Sequence, residues 1–394
     1  MNYRPLIWLA VATFSTGIDG YVLAGLLPAI AGDLRVVEAA AGQLVSAFAL
    51  TSAVAAPLLS TATSRWERRR TIAWSLGVFV LGNLIVGLAT NYAIALGGRI
   101  VAALGACLLN AAVTGYVIAL TPVKDHGKAL SFVLGGWMAA TALGVPVGLL
   151  LGQSSWRFPM LLVAVVGTIA LAGILLKLPR LHLPSATLAE RLRPLGQPRL
   201  IAGLLVTTGI LCSSYTCFTY ATLILRPAFP AEWMMILIMF GYGLASMLGN
   251  AVTGRLADRF TPLRVLTIVL AGLLVDAVLG AFVFRFVPVG AVLGVAGLIW
   301  FFTAGIGNGG AAVPQQARLA SFAPDSAAIV MALNGSAISL GVALGGGLGG
   351  ITLAAGAPPS GLLVVAAAVL GLTLTLHLLV ARSRKYDEVA EPIH

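Results

Sequence analysis

Twelve apolar runs, each long enough to cross a bilayer as a helix, dominate this sequence and leave few folds open to it. A hydrocarbon core about 30 Å thick needs about 20 helical residues at 1.5 Å of rise each. Runs of that length, bounded by charges, proline or turn clusters, fall at 5–29, 40–62, 71–90, 93–119, 127–152, 156–177, 199–226, 231–254, 263–285, 288–314, 326–355 and 359–381. A membrane barrel would instead alternate apolar and polar residues over segments of about ten. Composition points the same way, with 59% of the 394 residues hydrophobic and only 9% charged, against roughly 25% charged in a soluble domain. So few charges cannot cover a water-facing surface, and lipid must be the solvent. The first run carries Asp19 and lacks a small-residue cleavage site, so it reads as a first helix and not as a signal peptide. The expected fold class is an all-α membrane protein of twelve transmembrane helices.

The basic residues orient these spans. Arg35, Arg157, Arg226 and Arg285 fall on one side of the membrane and Arg99 within a span, while the other nineteen, Arg65, Lys124, Arg259 and Arg318 among them, fall on the opposite side. By the positive-inside rule that side is cytoplasmic, and with twelve spans it holds both termini. The net charge of +11 is accounted for by this asymmetry and calls for no nucleic-acid partner. Cys107, Cys212 and Cys217 lie in apolar runs without metal-ligand spacing, so no disulfide framework, metal site or cofactor is expected.

The longest interior polar segment, 178–198, contains Pro179, Pro184, Pro194 and Pro198 and reads as a linker. It divides the chain into an N-terminal six-helix bundle at 1–177 and a C-terminal one at 199–381, followed by a cytoplasmic tail at 382–394. The loop after the second span, Ser60 to Arg70, and that after the eighth, Gly254 to Arg264, align at an offset of 194, which superimposes Arg65 on Arg259 and Arg70 on Arg264. Two six-helix, pseudo-symmetric halves in parallel repeat are the plan of a large transporter class whose substrate site lies at the midplane between them.

On these residues the chain resembles the major facilitator superfamily, and within it the twelve-helix drug:proton antiporters near the bacterial sugar, nucleoside and chloramphenicol exporters. Gly254-Arg-Leu-Ala-Asp258-Arg259 is similar to that family's loop motif, with Arg65 and Arg69 in the first-half copy. Arg99 stands where the family places an arginine in helix 4, and Gly144-Val-Pro146-Val-Gly148 resembles the helix 5 motif of exporters. Gly25-Leu-Leu-Pro28 and Asn334-Gly-Ser336 through Gly341 also fit. The chain departs from the pattern at Ser60 and Ser64, where the family usually has Gly and Asp, at Gly20, where relatives often carry a second acid after Asp19, and at Ala106-Cys107, where close relatives often have His-Gly. The resemblance implies a multi-pass protein of the inner membrane that works as a monomer.

Asp19 and Asp276 are the acidic residues deep in spans, and an ionisable group there costs roughly 2.5–3.5 kcal/mol on insertion scales unless paired or neutralised. Asp19 shares a face with Ala12, Ser15 and Thr16, a stripe suited either to the wall of a water-filled cavity or to a carboxylate capped by local hydroxyls. Counted along their helices, Asp19 lies about 21 Å from the cytoplasmic entry and Arg99 about 10 Å from the external one, which puts them level in a core about 30 Å thick. If both face a cavity, as the resemblance implies, protonating the carboxylate would free the arginine; a static structural pair is the alternative. Asp276 has apolar neighbours on a helix that the resemblance makes a scaffold, which favours a structural role. Gly144, Pro146 and Gly148 suit close packing or a kink where the halves meet, or an antiport determinant. Asp258 with Arg259 sits at a helix end, where a carboxylate can hold one conformation. Tyr21, Asn110, Trp137, Tyr215, Tyr220 and Asn308 are candidate pocket residues, although packing accounts equally well for such side chains. His377 reads as structural. The glycines of the tenth span follow no strand and precede no Gly-Lys-Ser/Thr, which excludes a phosphate loop.

The functional expectation is a proton-coupled exporter of a small amphipathic or apolar molecule, such as a drug, natural product, sugar or nucleoside, acting by alternating access. Its partners would be that substrate, protons and the lipid bilayer. A proton symporter or uniporter importing a nutrient is the alternative. An enzyme is not expected, because no nucleophile with a base lies within the spans.

Overall fold

The computed structural model describes residues 4–122, 125–182, 187–323 and 326–390; Lys124, Pro184 and the end of the tail lie outside them. Among the described residues the secondary structure is entirely helical, and twelve helices are long and apolar enough to cross a membrane. They are α1 (Arg4–Leu34), α2 (Glu38–Ala62), α3 (Arg68–Gly87), α4 (Tyr92–Leu120), α5, α6 (Arg157–Lys177), α7 (Pro198–Phe218), α8 (Glu232–Arg259), α9 (Pro262–Phe286), α10 (Ala291–Phe322), α11 (Ala327–Ala354) and α12 (Gly361–Ala390). α5 runs from His126–Ala139 through a π-helical turn at Ala140–Gly144 into Val145–Gly152. The turn precedes Pro146, which has no N–H for the carbonyl one turn back and whose ring would strike it. One extra residue in that turn relieves the clash and keeps the helix continuous.

Several boundaries differ from the sequence expectation. The Gly254–Arg259 string is the end of α8 and not a loop, since nothing breaks the helix before Thr261, which caps α9 by accepting from the Arg264 amide ahead of Pro262 at the first helical turn. α10 continues to Phe322, past Pro314, and so carries Arg318 on a helix. The seventh run ends at Phe218 and resumes as a separate short helix, Ala221–Leu225. The linker holds two short helical pieces, Leu188–Leu192 and Arg193–Gly196.

The chain forms two compact units, Met1–Leu188 with Phe229–Phe240, and Ala189–Ala228 with Gly241–His394. In the first, α3 and α4 approach until backbones touch. A Cβ added to Gly105 would sit 2.3 Å from the Phe79 nitrogen, and one on Gly82 2.2 Å from that of Ala102. Helix pairs in lipid gain their attraction from such contact, because water supplies no hydrophobic drive there.

The internal repeat is visible in hydrogen bonds. In the first unit the Ser15 hydroxyl of α1 donates to the Val163 carbonyl of α6 at 2.9 Å; in the second, Ser213 of α7 donates to Ala366 of α12 at 3.0 Å. Thr13 donates to Val133 of α5, and Thr208, three residues out of that register, to Ala337 of α11. Gly136 lies against the Ala10 carbonyl as Gly341 lies against that of Thr208. With Ser15 set on Ser213 and Ala10 on Thr208, the position of Asp19 in the first unit is taken by Cys217 in the second.

Candidate functional site

Four helices of the first unit converge on one charged pair. α1 brings Asp19 and α4 brings Arg99, and Arg99 Nη1 donates to Asp19 Oδ1 at 2.6 Å. The two residues are 1% and 2% exposed, so the pair is sealed from solvent. α2 contributes the Leu44 carbonyl, which accepts from Arg99 Nε at 3.3 Å, and the Phe48 ring, whose centroid lies 4.2 Å from the guanidinium carbon. The ring face adds a cation–π attraction of about 2 kcal/mol in a desolvated setting. α3 contributes Asn83, fully buried beside the carboxylate, with its amide donating to Phe79 at 3.1 Å. The other carboxylate oxygen, Asp19 Oδ2, is buried and makes no well-formed hydrogen bond among the described residues, with the Asn83 side chain beside the carboxylate. Buried charges of this kind persist only when paired and hydrogen-bonded, and this site meets that requirement at one oxygen and leaves the other open.

The polar stripe beside Asp19 corrects one expectation. Ala12, Ser15, Thr16 and Asp19 are all buried, and the Ser15 and Thr16 hydroxyls are spent on backbone carbonyls. The stripe is therefore packed between helices and does not form an open cavity wall here. Within the first unit the helix 5 motif packs against α1. A Cβ on Gly144 would sit 2.4 Å from Ile18, one on Gly148 2.6 Å from Val22, and one on Gly152 2.4 Å from Leu26. These glycines, with Pro146 between the first two, seat α5 on the face of α1 next to Asp19.

The remaining candidates separate. Trp137 is 37% exposed and covers Gly17 of α1, Tyr21 is half-buried, and Asn110 is exposed on α4. In the second unit Tyr215 is half-buried with its ring 5.6 Å from Phe218. Tyr220 is wholly buried and its hydroxyl donates to the Gly346 carbonyl at 3.0 Å, which makes it a packing residue here and not a pocket one. Asn308 donates to the Tyr242 hydroxyl at 3.1 Å beside a small cavity of about 40 Å³ that Cys217 and Asp276 also line. The Asp276 carboxylate accepts from Thr303. Arg65 and Arg259 are exposed, and Arg69 clamps the end of α6 through the Leu175 and Leu178 carbonyls. Asp258 is exposed at the end of Gly254–Arg259, with no ion pair or side-chain hydrogen bond among the described residues.

Sequence reasoning placed Arg318 among the cytoplasmic loop charges, yet it is 4% exposed in the second unit. Its Nη1 donates to His377 Nδ1 at 2.7 Å, and His377 Nε2 meets the Thr267 hydroxyl at 2.8 Å. Because a guanidinium only donates, Nδ1 must accept and the imidazole proton sits on Nε2. Nearby, Gln315 donates to Gly203 and to Thr207, and Thr207 to Asn334 of the glycine-rich α11 motif.

Twelve helices in two repeated units, with a charged pair sealed inside one of them, fit the plan of a membrane transporter. A model of the Major Facilitator Superfamily matches residues 9–346, and the chain belongs to that family. It is accordingly a multi-pass membrane transporter of small molecules and not an enzyme. Over 273 residues it is 34% identical to a chloramphenicol resistance protein of Streptomyces lividans, covering 67% of this chain and 69% of that one. Over 394 residues it is 29% identical to the inner membrane transport protein YdhP of Escherichia coli (strain K12), covering 98% and 97%. Among solved structures, a bacterial homolog to the human lysosomal transporter Spinster matches with a TM-score of 0.76 at 17% identity, covering 97% of this chain and 98% of that one.

Proposed function

We propose that this transporter is a proton-coupled exporter of a small amphipathic or apolar molecule, seated as a monomer in the inner membrane with both termini in the cytoplasm. The observation that carries the coupling is Asp19, ion-paired to Arg99 at one oxygen and without a well-formed hydrogen bond at the other. A proton arriving at Oδ2 cancels the carboxylate charge and with it most of the attraction that ties α1 to α4. Arg99 then keeps the Leu44 carbonyl and the Phe48 face as partners, so the guanidinium is not abandoned when the pair opens. Loss of the proton draws the helices together again. Two states that differ in one charge contact are what a proton gradient can bias. A membrane potential supplies about 2.3 kcal/mol per charge per 100 mV toward such a cycle.

The export direction draws on the α5 glycine motif and on the likeness to a chloramphenicol resistance protein. Proteoliposomes holding the purified chain and loaded with a pH-sensitive dye test both parts of the reading. Added chloramphenicol, as the first tracer, should release protons from an acidified lumen as it enters. Proton movement in the same direction as the tracer would establish symport, and tracer flux with no proton movement would establish a uniporter.

A further inference from the structure

On the first unit, away from the charged pair, a cavity of about 830 Å³ lies between α3 and α6. Its two ends differ in chemistry. At the head stand Arg70, Arg180 and His182, and below them the walls are Trp74, Gly77 and Leu171. We propose that this groove is a binding site for an anionic phospholipid, whose phosphate meets the arginines while one acyl chain lies along the apolar wall.

The head is built and held in place. Pro179 stops α6 from continuing, and the extended chain beyond it is stitched back onto the bundle: the Arg68 amide donates to Leu181 at 2.8 Å and the Tyr116 hydroxyl to Pro179 at 2.7 Å. This strap brings Arg180 and His182 to the start of α3. The one acid there, Glu67, is occupied as the cap of α3, accepting from the Arg69 amide at 2.9 Å. The capping carboxylate keeps its negative charge, but Arg69, Arg70 and Arg180 line the same end, so the head carries a surplus of positive charge. Arg70 lies over the Trp66 ring at 5.6 Å, and Trp66 meets Trp74 edge to face at 6.4 Å. Indole rings beside arginines are the usual furnishing of the headgroup level.

The wall has the right length. From Arg70 to Leu81, the last α3 residue lining the groove, is about 16 Å along the helix, close to half of a hydrocarbon core about 30 Å thick. Gly77 keeps the groove open midway, since a Cβ there would already lie 4.0 Å from Leu171. Basic pockets between helices at the cytoplasmic face are recognised sites for acidic headgroups, at about 1 kcal/mol per basic residue. This proposal does not rest on proton coupling or on the direction of transport.

The test is native mass spectrometry of the full chain, titrated with phosphatidylglycerol and with phosphatidylcholine of the same acyl chains. Phosphatidylglycerol should bind at least tenfold more tightly, and a photoreactive chain should cross-link within 73–81 of α3. R70Q and R180Q should each weaken it about fivefold, and G77L should weaken both lipids while leaving thermal unfolding of the chain unchanged. Equal retention of the two lipids, or cross-links spread over other helices, would mean an ordinary lipid annulus and overturn the proposal. Displacement of the lipid by inorganic phosphate at equal concentration would make this a phosphate site and overturn it as well.

Discussion

Arg99 Nη1 and Asp19 Oδ1 lie 2.6 Å apart although 80 positions separate them in the chain, and α4 and α1 meet at that contact inside the first unit. The pair joins one side of a four-helix cluster to the other through a single charge-assisted bond. Its strength depends on one proton, whereas the glycine-lined α3–α4 contact depends on none.

Replacing Asp19 by Asn should abolish uphill transport driven by an imposed pH gradient while leaving downhill exchange. The amide keeps the size and hydrogen bonding of the carboxylate but cannot exchange a proton. Counterflow and gradient-driven uptake of labelled chloramphenicol, measured in the same proteoliposomes, separate the two. Proton-dependent concentration of tracer by this variant would remove Asp19 from the coupling role.

Truncating Arg99 to Ala should destabilise the chain by about 3–5 kcal/mol, because it leaves a buried carboxylate without its partner. Truncating Asp19 as well should recover part of that loss. Unfolding midpoints in detergent for the two single variants and the double one give the coupling energy. A double variant as unstable as the sum of the singles would mean that the two charges do not interact.

Among the α5 glycines the cost of a methyl group should follow what it meets. At Gly136 a Cβ would press on the Ala10 carbonyl at 2.2 Å, and backbone cannot step aside; at Gly152 it meets the tip of Leu26 at 2.4 Å, which can rotate. G136A should therefore lower stability by about 1–3 kcal/mol and G152A by distinctly less. Thermal unfolding of the two purified variants checks the order.

Reporters fused after Arg70, Arg193 and Arg259 should read cytoplasmic, and reporters near Arg35 and Arg226 external, because the basic residues set the orientation. A paired alkaline phosphatase and green fluorescent protein series reads each position twice. An exchange of any neighbouring pair would reverse the assignment.

Asp19 and Arg99 were legible in the sequence because a charge inside an apolar run stands out and helix rise fixes its depth. Phe48, Asn83 and the Leu44 carbonyl were not, since an apolar ring, an amide and a backbone oxygen acquire roles only when a particular face is turned inward. Arg318 was misplaced for a related reason: with Pro314 taken as the end of α10, a charge four residues later looked like loop, but a helix that accommodates its proline carried that charge into the packed interior. His377 then appeared solitary because its partner had been assigned to water. The twelve spans were visible throughout, as they depend on composition and length and not on which faces meet.

The π-helical turn at Ala140–Gly144 also sets the bearing of everything after it on α5. In an unbroken α-helix each residue turns about 100°, so twelve residues would leave Gly148 about 120° around the axis from Gly136. The wider turn absorbs one residue of winding and brings that offset down to about 20°. Both ends of α5 can thus press the same side of α1, above and below Asp19. Deleting a single residue from the turn would leave eleven residues of regular winding and the same offset of about 20°, so Gly148 and Gly152 would still face Val22 and Leu26. Inserting one would instead swing them about 100° away, a rotational fault that no substitution along the stripe would reproduce.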